Sequence, residues 1–258
     1  MALAFRSISL SDVGLVRNGN EDSGFVSPLL IAVADGMGGH AAGEVASKIA
    51  VRTLQELAPV LNDSTIDEDS RQDILLSVSH EIDNAILNES DLHPEYSGMG
   101  TTLTALHINE KSVELLHIGD SRCYHYADGQ LQQLSYDHTV MQELIDQGRL
   151  TLEEVKTHPQ RSILTQVLMG DSGIDPVLMV YPAKKGDFFL LCSDGLSSVL
   201  TDEEIKVIIE AHSGEELLAT LLAATKSAGA PDNVTIIWAE VVDEDVQSDT
   251  YLIGAANE

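Results

Sequence analysis

The stretch TTLTALHINEKSVELLHIGDSRCYHYADGQLQQL, residues 101–134, decides how this chain folds. Thr101–Ile108 and Ser112–Ile118 are apolar, β-branched runs on either side of Asn109-Glu110-Lys111. Arg122–Tyr126 and Leu131–Leu134 flank Ala127-Asp128-Gly129-Gln130 in the same way, and an Asp-Gly pair between two such runs is a strong hairpin signal. Consecutive hairpins build antiparallel sheet. Working outward, Leu29–Ala34 is a continuous apolar run ending at Asp35-Gly36, as a buried strand entering a turn would. On the other side, Val177–Tyr181, Asp187–Cys192 and Val234–Val241 read as strands, the last of them the final one.

Helical spacing fills the intervals. From Ala42 to about Val60, apolar residues recur at Val45, Ile49, Leu54 and Leu57, and Pro59 closes the run. Asp67–Glu89 carries Ile74, Leu75, Val78, Ile82 and Ile86 at three- and four-residue intervals. Thr201-x-x-Glu204 and Ser213-x-x-Glu216 are capping boxes that open helices of about ten and fifteen residues. Residues 137–175, with an amphipathic piece around Val140–Gln147 and then Gly148, His158-Pro159 and Gly170, read as a helical insertion. Strand pairs with helix pairs before and after them predict an α+β fold. Its architecture is a four-layer sandwich of two central antiparallel β-sheets flanked by helix pairs.

Composition narrows the function. The 258 residues include 14 Lys+Arg and 42 Asp+Glu, a net charge of −28. Without a broad basic face, neither nucleic acid nor an anionic membrane is a partner. Hydrophobic content of 43% suffices for a core, yet no apolar run approaches the roughly 20 residues of a membrane span, LLATLLAA (217–224) being the longest candidate. The N-terminal apolar run is too short for a signal peptide. Cys123 and Cys192 both lie in apolar stretches, as reduced core thiols of a cytosolic protein would. Residues 242–258 are acidic, lack clear periodicity, and read as a tail leaving the domain.

Chemistry shows in where aspartate sits. Asp35, Asp120 and Asp194 each end an apolar run, and Asp232 immediately precedes another. Asp before Gly is also an ordinary turn residue. Four such junctions on strongly apolar strands would gather carboxylates that repel one another unless cations bind. An oxygen-only cluster suits Mg²⁺ or Mn²⁺ rather than Zn²⁺, and no HExxH or paired His/Cys arrangement argues for zinc. His107, His117 and His125 lie on strand patterns as packed or surface residues. His40 differs, because it follows Gly36-Met37-Gly38-Gly39 and is either aimed back at Asp35 or exposed to solvent ahead of the helix.

Arg17-Asn18-Gly19-Asn20-Glu21-Asp22, Asp35-Gly36-Met37-Gly38-Gly39-His40, Gly100-Thr101-Thr102, Gly119-Asp120-Ser121-Arg122, Ser193-Asp194-Gly195 and Asp232-Asn233-Val234-Thr235 follow one another in this order. In order and spacing they resemble the metal-dependent type 2C protein serine/threonine phosphatases in their bacterial form, over about residues 7–241. The resemblance implies a catalytic domain spanning residues 1–241, with a flap at about 145–170, and a binuclear Mn²⁺ or Mg²⁺ centre at the sandwich edge. Asp35 resembles the bridging carboxylate, and the Gly36 carbonyl a ligand to one metal. Asp194 and Asp232 would complete the first metal's ligands, and Asp22 or its neighbour Glu21 would serve the second. Asp120 with Asp194 matches a third, weaker site. Arg17 matches the phosphate-binding arginine and His40 the general acid.

The activity implied is hydrolysis of phosphoserine and phosphothreonine on proteins by an activated water, with Asp35, Arg17 and His40 as the catalytic set. The partners implied are phosphorylated proteins, Ser/Thr kinases among them, acted on by a monomer in signal transduction. The location implied is the cytoplasm, with the tail either ending the protein or leading to a membrane anchor, as in relatives that oppose membrane-bound kinases. Two rival readings use the same aspartates: a metal-dependent small-molecule phosphoesterase, and a non-catalytic cation-binding interaction module. No Walker loop or DxD motif favours the first, and Arg17 and His40 have no task in the second.

Overall fold

The structure, a computed structural model, describes residues 3–39, 41–63, 65–155, 158, 163–170, 173–243, 246 and 250–257. Its first sheet runs in the order β1 (Ala4–Asp12), β11 (Val234–Val242), β10 (Phe188–Cys192), β7 (Arg122–Ala127), β8 (Gln130–Gln133). Its second runs β12 (Tyr251–Gly254), β2 (Asp22–Val26), β3 (Leu30–Met37), β5 (Leu103–Ile108), β6 (Ser112–Ile118), β9 (Val177–Pro182), and the short β4 (Gly100–Thr101) pairs with the end of β3. Every pairing is antiparallel.

Both hairpins form. In β5–β6 the Asn109 side chain accepts from Lys111 N and Ser112 N at 2.9 Å each, which fixes the turn and the Ile108–Val113 register. In β7–β8, Ala127 pairs with Gln130, so the turn is only Asp128-Gly129. Both residues have positive φ (50° and 72°), the mirror-image turn that follows the natural strand twist.

Alternation along the strands sorts the core into layers. On β3, Ile31 and Val33 face the other sheet and meet Phe5, Leu106, Leu115, Phe189, Leu191 and Ile237. Leu30, Ala32 and Ala34 face outward onto α1 (Ala42–Leu61) and α2 (Glu68–Leu92), against Ala46, Ala50, Leu54, Leu75 and Ile82. On the opposite face α6 (Asp202–Ala211) and α7 (Gly214–Ser227) cover Tyr124, Leu190, Ile236 and Trp238 with Ile205, Leu217 and Leu221. The four layers are therefore those expected.

Several sequence readings need correction. The β3 strand does not turn at Asp35-Gly36 but continues to Met37, paired there with β4. Pro59 does not close α1; it sits within the last turn, where burial of Ala58 and Leu61 outweighs one missing hydrogen bond. The Thr201 capping box forms, but Ser213 makes no side-chain cap, and Glu216 instead lies 3.3 Å from His212 Nδ1. Val234–Val242 is not the final strand, and the segment after it does not leave the domain. Tyr251–Gly254 forms β12 on the free edge of β2, with Tyr251 and Ile253 directed between the sheets and Leu252 and Ala256 towards the α1–α2 layer. Cys123 and Cys192 are buried free thiols.

The segment expected as a flap, about 145–170, follows α3 (Val140–Asp146) and contains α4 (Leu152–Val155), and its residues 156–157 and 159–162 lie outside the described residues. Among the described residues no helix is long and apolar enough to cross a membrane.

Candidate metal and phosphate site

Strand ends from both sheets meet at one mouth. Asp22 opens β2 and stands directly across the ladder from Asp35 on β3. Asp120 follows β6, Asp194 follows β10 and opens the short helix α5 (Asp194–Ser197), and Asp232 lies two residues before β11. The two sheets are tied together there by Ser193, whose Oγ donates to Asp22 Oδ2 at 2.7 Å and accepts from Thr235 N at 3.0 Å.

The backbone of Asp35 is held at both of its polar groups. Its N–H donates to Thr102 Oγ1 at 3.0 Å, and its carbonyl accepts from Thr102 N at 2.9 Å and Thr101 Oγ1 at 3.0 Å. Gly36 N donates to the Glu21 carbonyl at 3.1 Å. A Cβ on Gly36 would stand 2.1 Å from the Gly43 carbonyl oxygen, so only glycine lets β3 pass this close to the start of α1.

Arg17 projects from the loop between β1 and β2, half-exposed, and donates from Nη2 to Asp232 Oδ2 at 2.7 Å, with Glu21 Oε2 at 3.9 Å from Nη1. That loop is hung on Asn233. Its Nδ2 donates to the carbonyls of Val13 and Gly19 at 2.9 Å each, and its Oδ1 accepts from Glu21 N at 2.8 Å.

The carboxylates disfavour one another's charge. Burial raises Asp35 well above the carboxylate range, and Asp22, Asp194, Asp120 and Asp232 push it further. Burial lifts Asp22 to about 7 against the Ser193 hydrogen bond, with Asp194 and Asp232 adding to the rise. Asp120 reaches about 8, through burial and then Asp194 and Asp137. Asp194 rises to about 6 through burial and Asp232, restrained by a hydrogen bond with Asp35 and by Arg17. The hydrogen bond to Asp232 raises Arg17, which stays charged. Burial also raises Glu21, with Arg17 opposing.

This donor set fits hard divalent cations. It is oxygen-only, it is short of positive charge, and Asp22 Oδ1 is buried with no hydrogen-bond partner. Among the described residues no three His, Cys, Asp or Glu side chains close around one point by themselves, so the aspartates would have to draw in around a cation. His40 lies outside the described residues. His107 is buried on β5 beside Glu114, His117 is buried on β6 between Thr104 and the Tyr136 carbonyl, with burial holding it neutral at about 3, and His125 sits beside Asp187 at 3.3 Å. Ser193, Thr102 and Asn233 had no assigned task in the sequence. Each adjoins a motif aspartate or threonine, but its partner lies on another strand or loop.

The fold is that of the type 2C class. The model of that family, protein phosphatase 2C, matches residues 21–229. The serine/threonine protein phosphatase PstP of Mycobacterium tuberculosis is 41% identical over 261 residues, covering 100% of this chain and 49% of its own length. The serine/threonine phosphatase stp of Listeria welshimeri is 34% identical over 241 residues, covering 89% of this chain and 93% of its own. The crystal structure of the PstP catalytic domain in complex with two manganese ions superposes with a TM-score of 0.83 at 40% identity, covering 93% of this chain and 100% of that one. The chain belongs to the protein phosphatase 2C family. It spans about half the length of PstP.

Proposed function

We propose that this chain is a metal-dependent protein serine/threonine phosphatase, acting on phosphoserine and phosphothreonine of proteins, Ser/Thr kinases among them. The observation that carries the reading is the set of mutually repelling aspartates around the orphaned Asp22 Oδ1, with a guanidinium at their rim. Asp35, with Asp194 and Asp232, would hold a first Mn²⁺ or Mg²⁺, and the Gly36 carbonyl would serve one of the two cations at Asp35. Asp35 and Asp22 would hold a second, and Asp120 with Asp194 a third. Asp22 is favoured over Glu21 because it is buried beside Asp194 with an unpaired oxygen, whereas Glu21 lies near Arg17. Such cations supply Lewis-acid polarisation of the phosphoryl oxygens and a water acidified towards neutral pH.

The chain's own groups bind and orient. Asp232 steadies one arm of Arg17, leaving the rest of the planar fork for two phosphate oxygens. His40, following the Asp35 strand, gives a proton to the departing Ser or Thr Oγ. Two divalent cations and Arg17 balance the five carboxylates, so the mouth accepts an anion although the chain carries −28.

The test is phosphate release from a phosphothreonine peptide with Mn²⁺, with and without EDTA, beside small phosphate esters. Peptide turnover that EDTA and Asp35→Asn both abolish, in a variant that remains folded, supports the reading. Turnover of small esters alone points to a phosphoesterase, and near-normal activity of Asp35→Asn sinks the metal centre.

A further inference from the structure

Asp83 lies on the buried face of α2, between Ile82 and Ile86 and outside the acidic mouth, with only 6% of its surface exposed. A carboxylate there is costly unless it is hydrogen-bonded. Its Oδ1 accepts two backbone hydrogen bonds from a distant segment, from Met169 N at 3.0 Å and Gly170 N at 2.7 Å. Gly170 has φ +77°, and a Cβ there would stand 2.7 Å from Leu87 Cβ on the next turn of α2, so the segment lies flat on the helix.

The path continues to the mouth. Leu168, fully buried, exchanges two backbone hydrogen bonds with Thr101 at 2.8 and 3.0 Å, and Thr101 Oγ1 donates to the Asp35 carbonyl at 3.0 Å. On the outer side, Met37 and Met169 are each 39% exposed, and a Cβ on Gly100 would meet Met169 Cβ at 3.1 Å and Met37 Cγ at 3.5 Å. The two methionines thus form one apolar lip beside Asp35-Gly36.

We propose that Asp83 is a positioning residue that clamps residues 168–170 to α2 and so sets the Met37–Met169 lip on which the polypeptide of a phosphoprotein lies; this rests on the protein phosphatase reading. Asp83 touches no reacting atom. A small aryl phosphate reaches the aspartates without the lip, whereas a phosphopeptide must cross it.

The test compares Asp83→Ala and Asp83→Asn in the full chain with Mn²⁺. Asparagine keeps the accepting Oδ1, while alanine leaves two amides unpaired. In Asp83→Ala, hydrogen exchange at Met169 and Gly170 should quicken ~10-fold or more while β3 and β10 keep their protection. KM for a phosphothreonine peptide should rise ~10-fold, with kcat changed by ~2-fold or less and p-nitrophenyl phosphate kinetics affected far less than the peptide's. Asp83→Asn should match the wild type throughout. Unchanged exchange at 169–170, exchange raised everywhere, equal losses on peptide and aryl phosphate, or a failure of asparagine to restore would each overturn the clamp. The exchange measurement needs no turnover, so a wild type inactive on phosphopeptides would refute the phosphatase reading while the clamp is judged by exchange.

Discussion

Replacing Asp22 with asparagine should stabilise the metal-free protein at alkaline pH, the reverse of the usual effect of altering a buried, hydrogen-bonded side chain. Burial and its acidic neighbours lift Asp22 to about 7, against ~4 for an unfolded carboxyl. A carboxyl raised in this way stabilises the fold fully below the unfolded pKa, and that stability is lost as pH rises through the folded one. A shift of ~3 units corresponds to ~4 kcal/mol lost above pH 8. Asp194 and Asp120 move in the same direction, to about 6 and about 8, but the sites share protons and their contributions do not add. For a chain of this size ~4 kcal/mol is about 10 °C in Tm.

Asparagine carries no charge and still offers an oxygen to Ser193 Oγ. In EDTA, then, wild type and Asp22→Asn should melt together near pH 3, and the variant should melt up to about 10 °C higher near pH 8.5. Excess Mn²⁺ should reverse the order by stabilising the wild type more than the variant, which keeps the donors of the first site but lacks the Asp22 carboxylate of the second. Scanning calorimetry across this pH range, with and without Mn²⁺, makes the measurement. Parallel pH curves, or a variant less stable than wild type at pH 8.5 in EDTA, would refute the electrostatic account.

Asn233→Ala removes three hydrogen bonds that suspend the Arg17 loop; denaturant titration should show a loss of ~2–3 kcal/mol, and inorganic phosphate should inhibit more weakly. His40→Ala should slow phosphoserine peptides more than p-nitrophenyl phosphate, whose leaving group needs no proton, and steady-state kinetics on both substrates checks it.

The two hairpins and the α1 and α2 helices were legible in the sequence because period and punctuation agree: alternation broken by Asp128-Gly129, and helical spacing opened by Asp67. The strand β12 was not, since YLIG is short and sits beside acidic residues that mask its alternation until β2 offers an edge. The aspartates at the mouth announce themselves by ending apolar runs. Which of Glu21 and Asp22 faces inward depends on the β2 register, a property of the assembled sheet. The tasks of Ser193 and Asn233 are further out of reach, since Ser193 meets Asp22 across 171 positions and Asn233 meets Val13 across 220.

The strand β12 also bears on what constitutes a folding unit. The family match, residues 21–229, omits β1, β11 and β12. A chain trimmed to it would lose two of the five strands of one sheet and uncover the outer edge of β2 in the other. Exposed edges of this kind recruit strands from other molecules. The uncovered edge would be the strand that starts at Asp22, whose carbonyl oxygen would stand 2.3 Å from a Cβ on Gly254. Self-association and a slackened Asp22 would then arrive together with the loss of Arg17 and Asp232, which also lie outside residues 21–229, so an inactive trimmed protein would report on missing strands and missing site residues at once.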